Sequence, residues 1–366
     1  MKHRANKSIK KVIFKTMGLF LIALIFVGAF CLPFFSNKEN MIFQKFFGVK
    51  AHECILELWN IDTFEGGMAS KSSFLEKVSI SFEKKNKGCY VLVRNMDKME
   101  LKSRLAGGEI PDMFSFSGTV VSELKGHLTE LGENSDVRGI LANSALTAES
   151  ERLGMPWCMS GYAIITSESR LLASNEESKN VFSGVFSFGY EKKLKKSTKN
   201  IYSVAFGTKT GHNPLAAIEE EASVKGVVFE KNHLSILPDT AELTQYGAYE
   251  KWALGNSVAL IGTARDLVRM EGRLASGKET DAEIFCLSYF TDLVQYIGVT
   301  KSIDKERQRL AEAFAKFLCS EEMQLKLSSI GLFSVLSQCQ NLYGDGLLMK
   351  MESSLSSLSR VDNIFV

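Results

Sequence analysis

The chain has 366 residues, 45% of them hydrophobic, enough to bury one large core or two moderate ones, and ordinary domain sizes favour two. With 44 basic and 42 acidic residues the formal net charge is +2, which argues against nucleic acid as the main partner. Seven cysteines are scattered without a close pair, and none of their spacings suggests zinc.

Charge is unevenly placed at the start. Lys2, Arg4, Lys7, Lys10, Lys11 and Lys15 come with no acid among them, and the run from Met17 to Phe35 carries no charge at all. That run approaches the about 20 residues of a membrane span and exceeds the roughly 7 to 15 of a signal-peptide core. Basic residues ahead of a span stay inside. Residues 1–36 are therefore read as a cytoplasmic tail and one transmembrane helix, with everything after Ser36 outside the cytoplasm at the cell membrane. Cleavage after Val27-Gly28-Ala29 is the alternative, and it would leave Phe30 to Phe35 as an exposed apolar start. Residues 37–53 read as a stalk, where Ile42, Phe43, Phe46 and Phe47 recur at helical spacing. That face suits either the lipid surface or packing on the domain.

From Cys54 to Gly118 the hydrophobic period alternates between strand and helix. Cys54-Ile55-Leu56-Glu57-Leu58-Trp59 is apolar almost throughout, as in a parallel sheet covered on both faces. After the loop Asn60 to Glu65, Gly66-Gly67 is expected to open a helix whose stripe is Phe74, Leu75, Val78 and Phe82. The helix runs out at Glu83 to Gly88, and Cys89 to Arg94 has strand composition. Cys54 and Cys89 then open adjacent strands, where they could face each other; a small buried hydrophobe is the ordinary role of each. Asp97 is placed to cap a short helix through Leu101 and Leu105 that stops at Gly107-Gly108. Met113 to Gly118 is a third strand. Short connections between alternating strands and helices imply a parallel sheet, with ligands beyond the strands' carboxyl ends, here Trp59 to Glu65 and Ser115 to Gly118.

A strand ending in Trp59, then Glu65-Gly66-Gly67, then Phe82-Glu83-Lys84-Lys85, then Gly107-Gly108-Glu109-Ile110-Pro111-Asp112 occur together in this order. The succession resembles the amino-terminal lobe of the extracellular solute-binding proteins of ABC importers, a class with many sugar binders. Lipid modification at Cys31 is common in that family, but Phe30 stands where a lipoprotein signal has a small residue. Met155 to Thr166 resembles the family's first hinge crossing, with Pro156 and Trp157 beside the cleft and Gly161 supplying backbone freedom.

Two helical pieces around Gly132 and Gly139 precede that crossing. Ser167 to Phe229 reads only as mixed second-lobe structure, with a basic run from Lys192 to Lys199 and an acidic one at Glu219-Glu220-Glu221, both read as solvated faces. Tyr246, Tyr249, Trp252 and Ala253 mark a helix ending at Gly255, and Ser257 to Thr263 a strand. The succession resembles the family's segment leading to a loop at the ligand, here Gly262-Thr263-Ala264-Arg265-Asp266, with helix from Val268 to Arg273. Arg265 and Asp266 serve equally as ligand contacts, as each other's partner or as a cap. Ile284 to Phe290 is expected as the strand returning to the first lobe, with Thr291-Asp292 at its end. Glu306 to Ser320 is an amphipathic helix, and with Ser320-Glu321-Glu322-Met323-Gln324 and Gly331-Leu332-Phe333-Ser334-Val335 it resembles the family's carboxy-terminal signature. The resemblance spans about Cys54 to Tyr343.

Catalytic patterns are absent on inspection. Gly272 to Glu279 nearly matches a phosphate loop but places Glu279 where Ser or Thr must bind magnesium, and it follows a helix. Ser81-Phe82-Glu83-Lys84 has an acyl-enzyme spacing but lies mid-helix. His52, His127, His212 and His233 fall outside the expected cleft segments and form no metal-ligand pair.

The expected fold is thus α/β: the two-lobed type II periplasmic-binding topology with a hinge and an interlobe cleft, after one transmembrane helix. Lobe I comprises 54–157 plus 284–319, and lobe II 158–283 plus 320–366. A sugar offers an apolar ring face and a rim of hydroxyls, which aromatic rings and polar side chains recognise. Trp59, Glu65, Ser117, Trp157, Tyr162, Arg265, Asp266 and Asp292 are the candidate ligand contacts; core packing is the bland role for the aromatics. The expected activity is capture of a sugar or oligosaccharide and delivery to permease subunits, by a monomer without enzyme activity, cofactor or metal. A membrane-tethered ligand sensor is the alternative, and an extracellular carbohydrate-active enzyme a further one.

Overall fold

The computed structural model describes residues 54–130, 153–167, 202–226, 234–236, 243–301 and 303–361. The expected anchor at 17–35, the stalk, Cys31, the pieces around Gly132 and Gly139 and the run Lys192 to Lys199 lie outside the described residues. Among the described residues no helix is long and apolar enough to cross a membrane.

The chain from Cys54 onward forms one compact unit containing two five-stranded sheets. The first begins with β1 (Cys54–Ile61), α1 (Lys71–Lys85), β2 (Cys89–Met96), α2 (Lys98–Ala106) and β3 (Met113–Ser117). β1 pairs in parallel with β2 on one side and β3 on the other. The stripe on α1 is buried as its spacing requires, and Phe82 meets Phe314 edge-on at 5.3 Å. Gly66-Gly67 does not open α1, however. Ser70 caps it, accepting from the Ser73 N–H at 3.2 Å, while the Gly67 N–H donates to the Gly331 carbonyl. A Cβ on Gly66 would lie 2.5 Å from the Ile330 carbonyl oxygen, so this pair permits close backbone approach. Asp97 caps α2, accepting from the N–H groups of Met99 and Glu100, both at 2.8 Å.

A short α3 (Val121–Leu124) follows, and β4 (Met155–Met159) and β5 (Tyr162–Thr166) then carry the chain from the first sheet into the second across Ser160-Gly161. The second sheet adds β6 (Tyr202–Ala205), β7 (Leu234–Ile236), β8 (Ala259–Thr263) and β9 (Glu283–Cys286), in the order β7-β6-β8-β5-β9. Its helices are α4 (Pro214–Val224), α5 (Gln245–Ala253) and α6 (Ala264–Ala275). Here Arg265 and Asp266 occupy the first turn of α6 and not a loop, because Asp266 accepts the Thr263 N–H at 2.9 Å and so starts the helix early.

Ile284 to Phe290 is not the returning strand. β9 lies antiparallel to β5 in the second sheet, and the return is made by β11 (Val294–Val299), which runs antiparallel between β3 and β4. The stretch is divided: β9 ends at Cys286, and the short strand β10 (Phe290–Thr291) pairs with β12 (Arg360–Val361) outside both five-stranded sheets. Helices α7 (Lys305–Leu318), α8 (Glu321–Gln324) and α9 (Gly346–Leu355) complete the unit. Near the crossings Gln324 is buried, donating to the Trp157 carbonyl at 2.7 Å and accepting from the Ser334 hydroxyl at 2.8 Å.

Candidate functional site

In parallel sheets the backbone turns into its helices beyond the carboxyl ends of the strands, and side chains from several strands gather there. Both sheets of this chain present such ends to one another. Thr63 and Glu65 follow β1, Ser117 ends β3 and Thr119 follows it; His212 follows β6; Thr263 ends β8 and Arg265 follows it. Thr63 Oγ1 lies 2.7 Å from Ser117 Oγ, which is 2.9 Å from Thr119 Oγ1. From the second lobe His212 Nε2 comes within 3.1 Å of Thr63 Oγ1, and its ring meets Phe64 edge-on. A Cβ on Gly211, whose φ is +93°, would lie 3.2 Å from Thr119 Cβ, so the two lobes approach closely along this edge.

Behind His212 sits Asp292, between β10 and β11. It accepts from the Tyr162 hydroxyl at 2.5 Å and the Asn213 N–H at 2.7 Å, and its Oδ1 is 3.5 Å from His212 Nδ1. Asn213 precedes Pro214, the first residue of α4, so the carboxylate lies at the positive end of an 11-residue helix. Burial raises the Asp292 pKa, but neighbouring His212 and the hydrogen bonds from Tyr162 and Asn213 lower it more, and the net shift is downward.

A second bridge lies beside the first. Arg265 Nη1 donates to the Gly67 carbonyl at 2.8 Å, and its Nε is 3.4 Å from Glu65 Oε2. Arg269 reaches the same Glu65 oxygen at 3.1 Å and Asp266 Oδ1 at 2.9 Å, with its guanidinium 4.9 Å from the ring centres of Tyr246 and Tyr249. Burial drives the Asp266 pKa upward against the Thr263 N–H, Arg269 and Gln245.

The loop carrying Thr63 and Glu65 is held from below by Lys71. Its side chain is wholly buried, with Nζ 2.6 Å from the Phe64 carbonyl, 3.2 Å from Gln295 Oε1 and 3.2 Å from Asp62 Oδ1, over the Phe64 ring at 3.5 Å from its centre. Gln295 in turn donates to Ser115 Oγ at 3.0 Å and the Ile61 carbonyl at 3.2 Å. Desolvation lowers the Lys71 pKa more than Asp62 and the other neighbours raise it.

Of the residues singled out in the sequence, the structure brings Ser117, Tyr162 and Asp292 into the first cluster and Glu65, Arg265 and Asp266 into the second. Trp59 and Trp157 lie elsewhere, at 1% and 0% exposure. Trp59 meets Phe114 edge-on and donates to Glu57 Oε1 at 3.0 Å; Trp157 stacks on Phe74 with rings 2° from parallel and donates to Ser115 Oγ at 3.2 Å. Their strands are covered on both faces, so strand-end aromatics are consumed by the core.

Sequence reading placed His212 outside the cleft segments, and the structure corrects this. A signal was present: Asn213-Pro214 marks a helix start, which puts His212 in a strand-to-helix loop of the kind that carries ligands. Thr63 and Thr119 stood in or beside the expected loops, hidden by being ordinary. Lys71 was not singled out in the sequence, since lysine is rarely buried. Among the described residues no group of histidine, cysteine and carboxylate side chains could hold a metal ion.

No protein-family model matches the chain, and no curated protein matches it in sequence. Solved structures do match in fold. The GacH receptor of Streptomyces glaucescens, whose structures include a complex with acarbose, aligns with a TM-score of 0.54 at 11% identity, over 85% of this chain and 88% of its own. The sugar-binding protein MalE of Xanthomonas citri aligns at 0.53 and 11%, over 85% and 87%. Maltose-bound MalE3 of T. maritima aligns at 0.52 and 13%, over 82% and 85%. The chain therefore has the two-lobed, mixed α/β fold of the sugar-binding proteins of ABC importers, the class its motifs resemble.

Proposed function

We propose that the chain is a solute-binding protein that captures a sugar or short oligosaccharide between its lobes and hands it to the permease of an ABC importer. The observation that carries this reading is the meeting of strand ends from both sheets, where Thr63, Ser117 and Thr119 face His212, backed by Asp292. These groups hydrogen-bond to one another across the lobes, and the hydroxyls of a sugar supply the same donors and acceptors. A guest that satisfies every one of them closes the lobes; one that leaves a buried group unpaired forfeits about 1–3 kcal/mol for each. Glu65 and Arg265 form the rim. Trp59 and Trp157 support the loops from the core, and Tyr162 acts by orienting Asp292.

The proposed lobes are 54–157 with 284–319 and 158–283 with 320–366, except that Cys158 and Met159 end β4 in the first sheet and β9 stays with the second. The charge-free run at 17–35 tethers the lobes outside the cytoplasm. Thr63 Oγ1, His212 and Asp292 stand in line as hydroxyl, imidazole and carboxylate, but the hydroxyl is already paired with Ser117 and the matched GacH and MalE structures are named as a receptor and a sugar-binding protein, so the role we propose is binding without turnover.

A thermal-shift screen of the purified protein against mono- and oligosaccharides, amino acids and peptides tests the reading. A true ligand stabilises by RT ln(1 + [L]/Kd), about 2.7 kcal/mol at a hundredfold excess over Kd. Stabilisation by peptides or amino acids alone would overturn the sugar assignment, and loss of stabilisation in His212→Ala and Ser117→Ala would place the sugar at this cluster.

A further inference from the structure

The first residues of β1 and β2 are both cysteines, and they are register partners. Cys54 stands opposite Cys89 at the start of a parallel ladder that runs to Ile61 and Met96. Adjacent strands lie about 4.7–4.9 Å apart, within the roughly 4.4–6.8 Å between Cα atoms that a disulfide spans. In-register residues on parallel strands project to the same face, so the two side chains stand beside each other. Both sit at the open end of the ladder, so small backbone shifts there disturb one rung only.

The surroundings differ for the two sulfurs. Cys89 is buried and Cys54 is partly exposed. Burial raises both thiols, Cys89 to about 11, and the Arg307 guanidinium opposes the rise at each. Cys54, being partly exposed, is the sulfur that an oxidant in solution reaches first. Arg307 is fixed in place, donating to both Asp112 carboxylate oxygens at 2.8 and 2.6 Å. Cys158 and Cys319 are buried, and burial pushes the Cys319 thiol up to about 12, out of reach of oxidants in solution.

We propose that Cys54 and Cys89 are an oxidisable pair that closes to a disulfide by exchange with a small-molecule disulfide. The Cys54 thiolate attacks one sulfur of the oxidant and expels the other as a thiolate, giving a mixed disulfide. Cys89 then loses its proton to solvent and attacks the Cys54 sulfur, expelling the second thiolate. Two protein thiols become one disulfide, and two electrons and two protons pass to the oxidant, which leaves as two thiols. The bridge ties together β1, α1 and β2, the unit that carries the loop of Thr63 and Glu65. The proposal needs no ligand and is independent of the function proposed above.

The test uses the full-length protein and oxidised glutathione, followed by alkylation, peptide mapping and mass spectrometry. Wild type should lose two alkylatable thiols and yield a cross-linked peptide joining residues 54 and 89. Cys89→Ser should stop at a glutathione adduct on Cys54, and Cys54→Ser should leave Cys89 alkylatable after denaturation. The oxidised wild type should unfold a few degrees higher than the reduced form, with no such gap in either variant. A wild type that stops at the Cys54 adduct, links other cysteines instead, or keeps both thiols while Cys54 is freely alkylated would overturn the proposal.

Discussion

Replacing Lys71 with methionine tests the reasoning about the interlobe loop most directly. Methionine keeps the aliphatic volume of the buried stem and deletes only the ammonium. The deletion strips the donor from the Phe64 carbonyl and from Gln295 Oε1, two acceptors held at 2.6 and 3.2 Å. Each orphaned acceptor costs about 1–3 kcal/mol, so the pair costs about 4 kcal/mol. Asp62 is 33% exposed as a side chain, but its Oδ1 facing Lys71 is buried and loses its cation; against this, the variant no longer desolvates an ammonium, which returns about 1 kcal/mol. A net loss of about 3 kcal/mol is expected, or about 6 °C in the unfolding midpoint for a chain of this size. Urea denaturation measures the first, and amide exchange at residues 62–65 should show the loop opening locally. Because burial lowers the Lys71 pKa, the unfolded chain binds more protons than the folded one as pH approaches the ordinary lysine value near about 10.4. Wild-type stability should therefore rise with pH through that window relative to Lys71→Met. A variant within about 0.5 kcal/mol of wild type, with unchanged exchange, would refute the staple.

Other expectations follow from the same contacts. Arg265→Ala removes the bond to the Gly67 carbonyl from a partly exposed side chain, so stability should change by less than about 1 kcal/mol while small-angle scattering shows a larger radius for the unliganded protein; an unchanged radius would contradict a role in holding the lobes together. Asp292 has a depressed pKa, so its contribution is present above the ordinary carboxylate value near about 3.9 and is lost as pH falls below it. The stability difference between wild type and Asp292→Asn should accordingly shrink on acidification, and a constant difference would show that its charge is immaterial. Gly66→Ala places a Cβ 2.5 Å from a backbone carbonyl and should cost about 1–3 kcal/mol, whereas Gly126→Ala, with open space around it, should be near neutral. Equal urea midpoints for these two alanine variants would discount the close packing of Gly66 on Ile330.

Much of the architecture could be read from neighbouring residues, because helix stripes, caps and strand alternation depend on side chains within a few positions of one another. The stripe of Phe74, Leu75, Val78 and Phe82, the cap at Asp97 and the helix after Asp304 stand where their spacing puts them. The errors fall where local pattern is satisfied by more than one tertiary arrangement. Gly66-Gly67 read as a helix start, but packing on Ile330 and Gly331, over 260 residues later in the chain, explains both glycines. Ile284 to Phe290 has strand composition, and only pairing with β5 decides which sheet receives it.

The candidate site divides in the same way. The sequence alone determined that the carboxyl ends of two parallel strands fall within Trp59 to Glu65 and Ser115 to Gly118, since the alternation of periods is local. Only the tertiary structure decided that Trp59 and Trp157 face the core, that Lys71 is buried beneath the loop, and that His212 reaches Thr63, 149 residues away in the chain. The physical reason is that burial and hydrogen bonding across the lobes are set by distances in space. A one-dimensional pattern carries the hydrophobic period of each element but no term for what lies across from it.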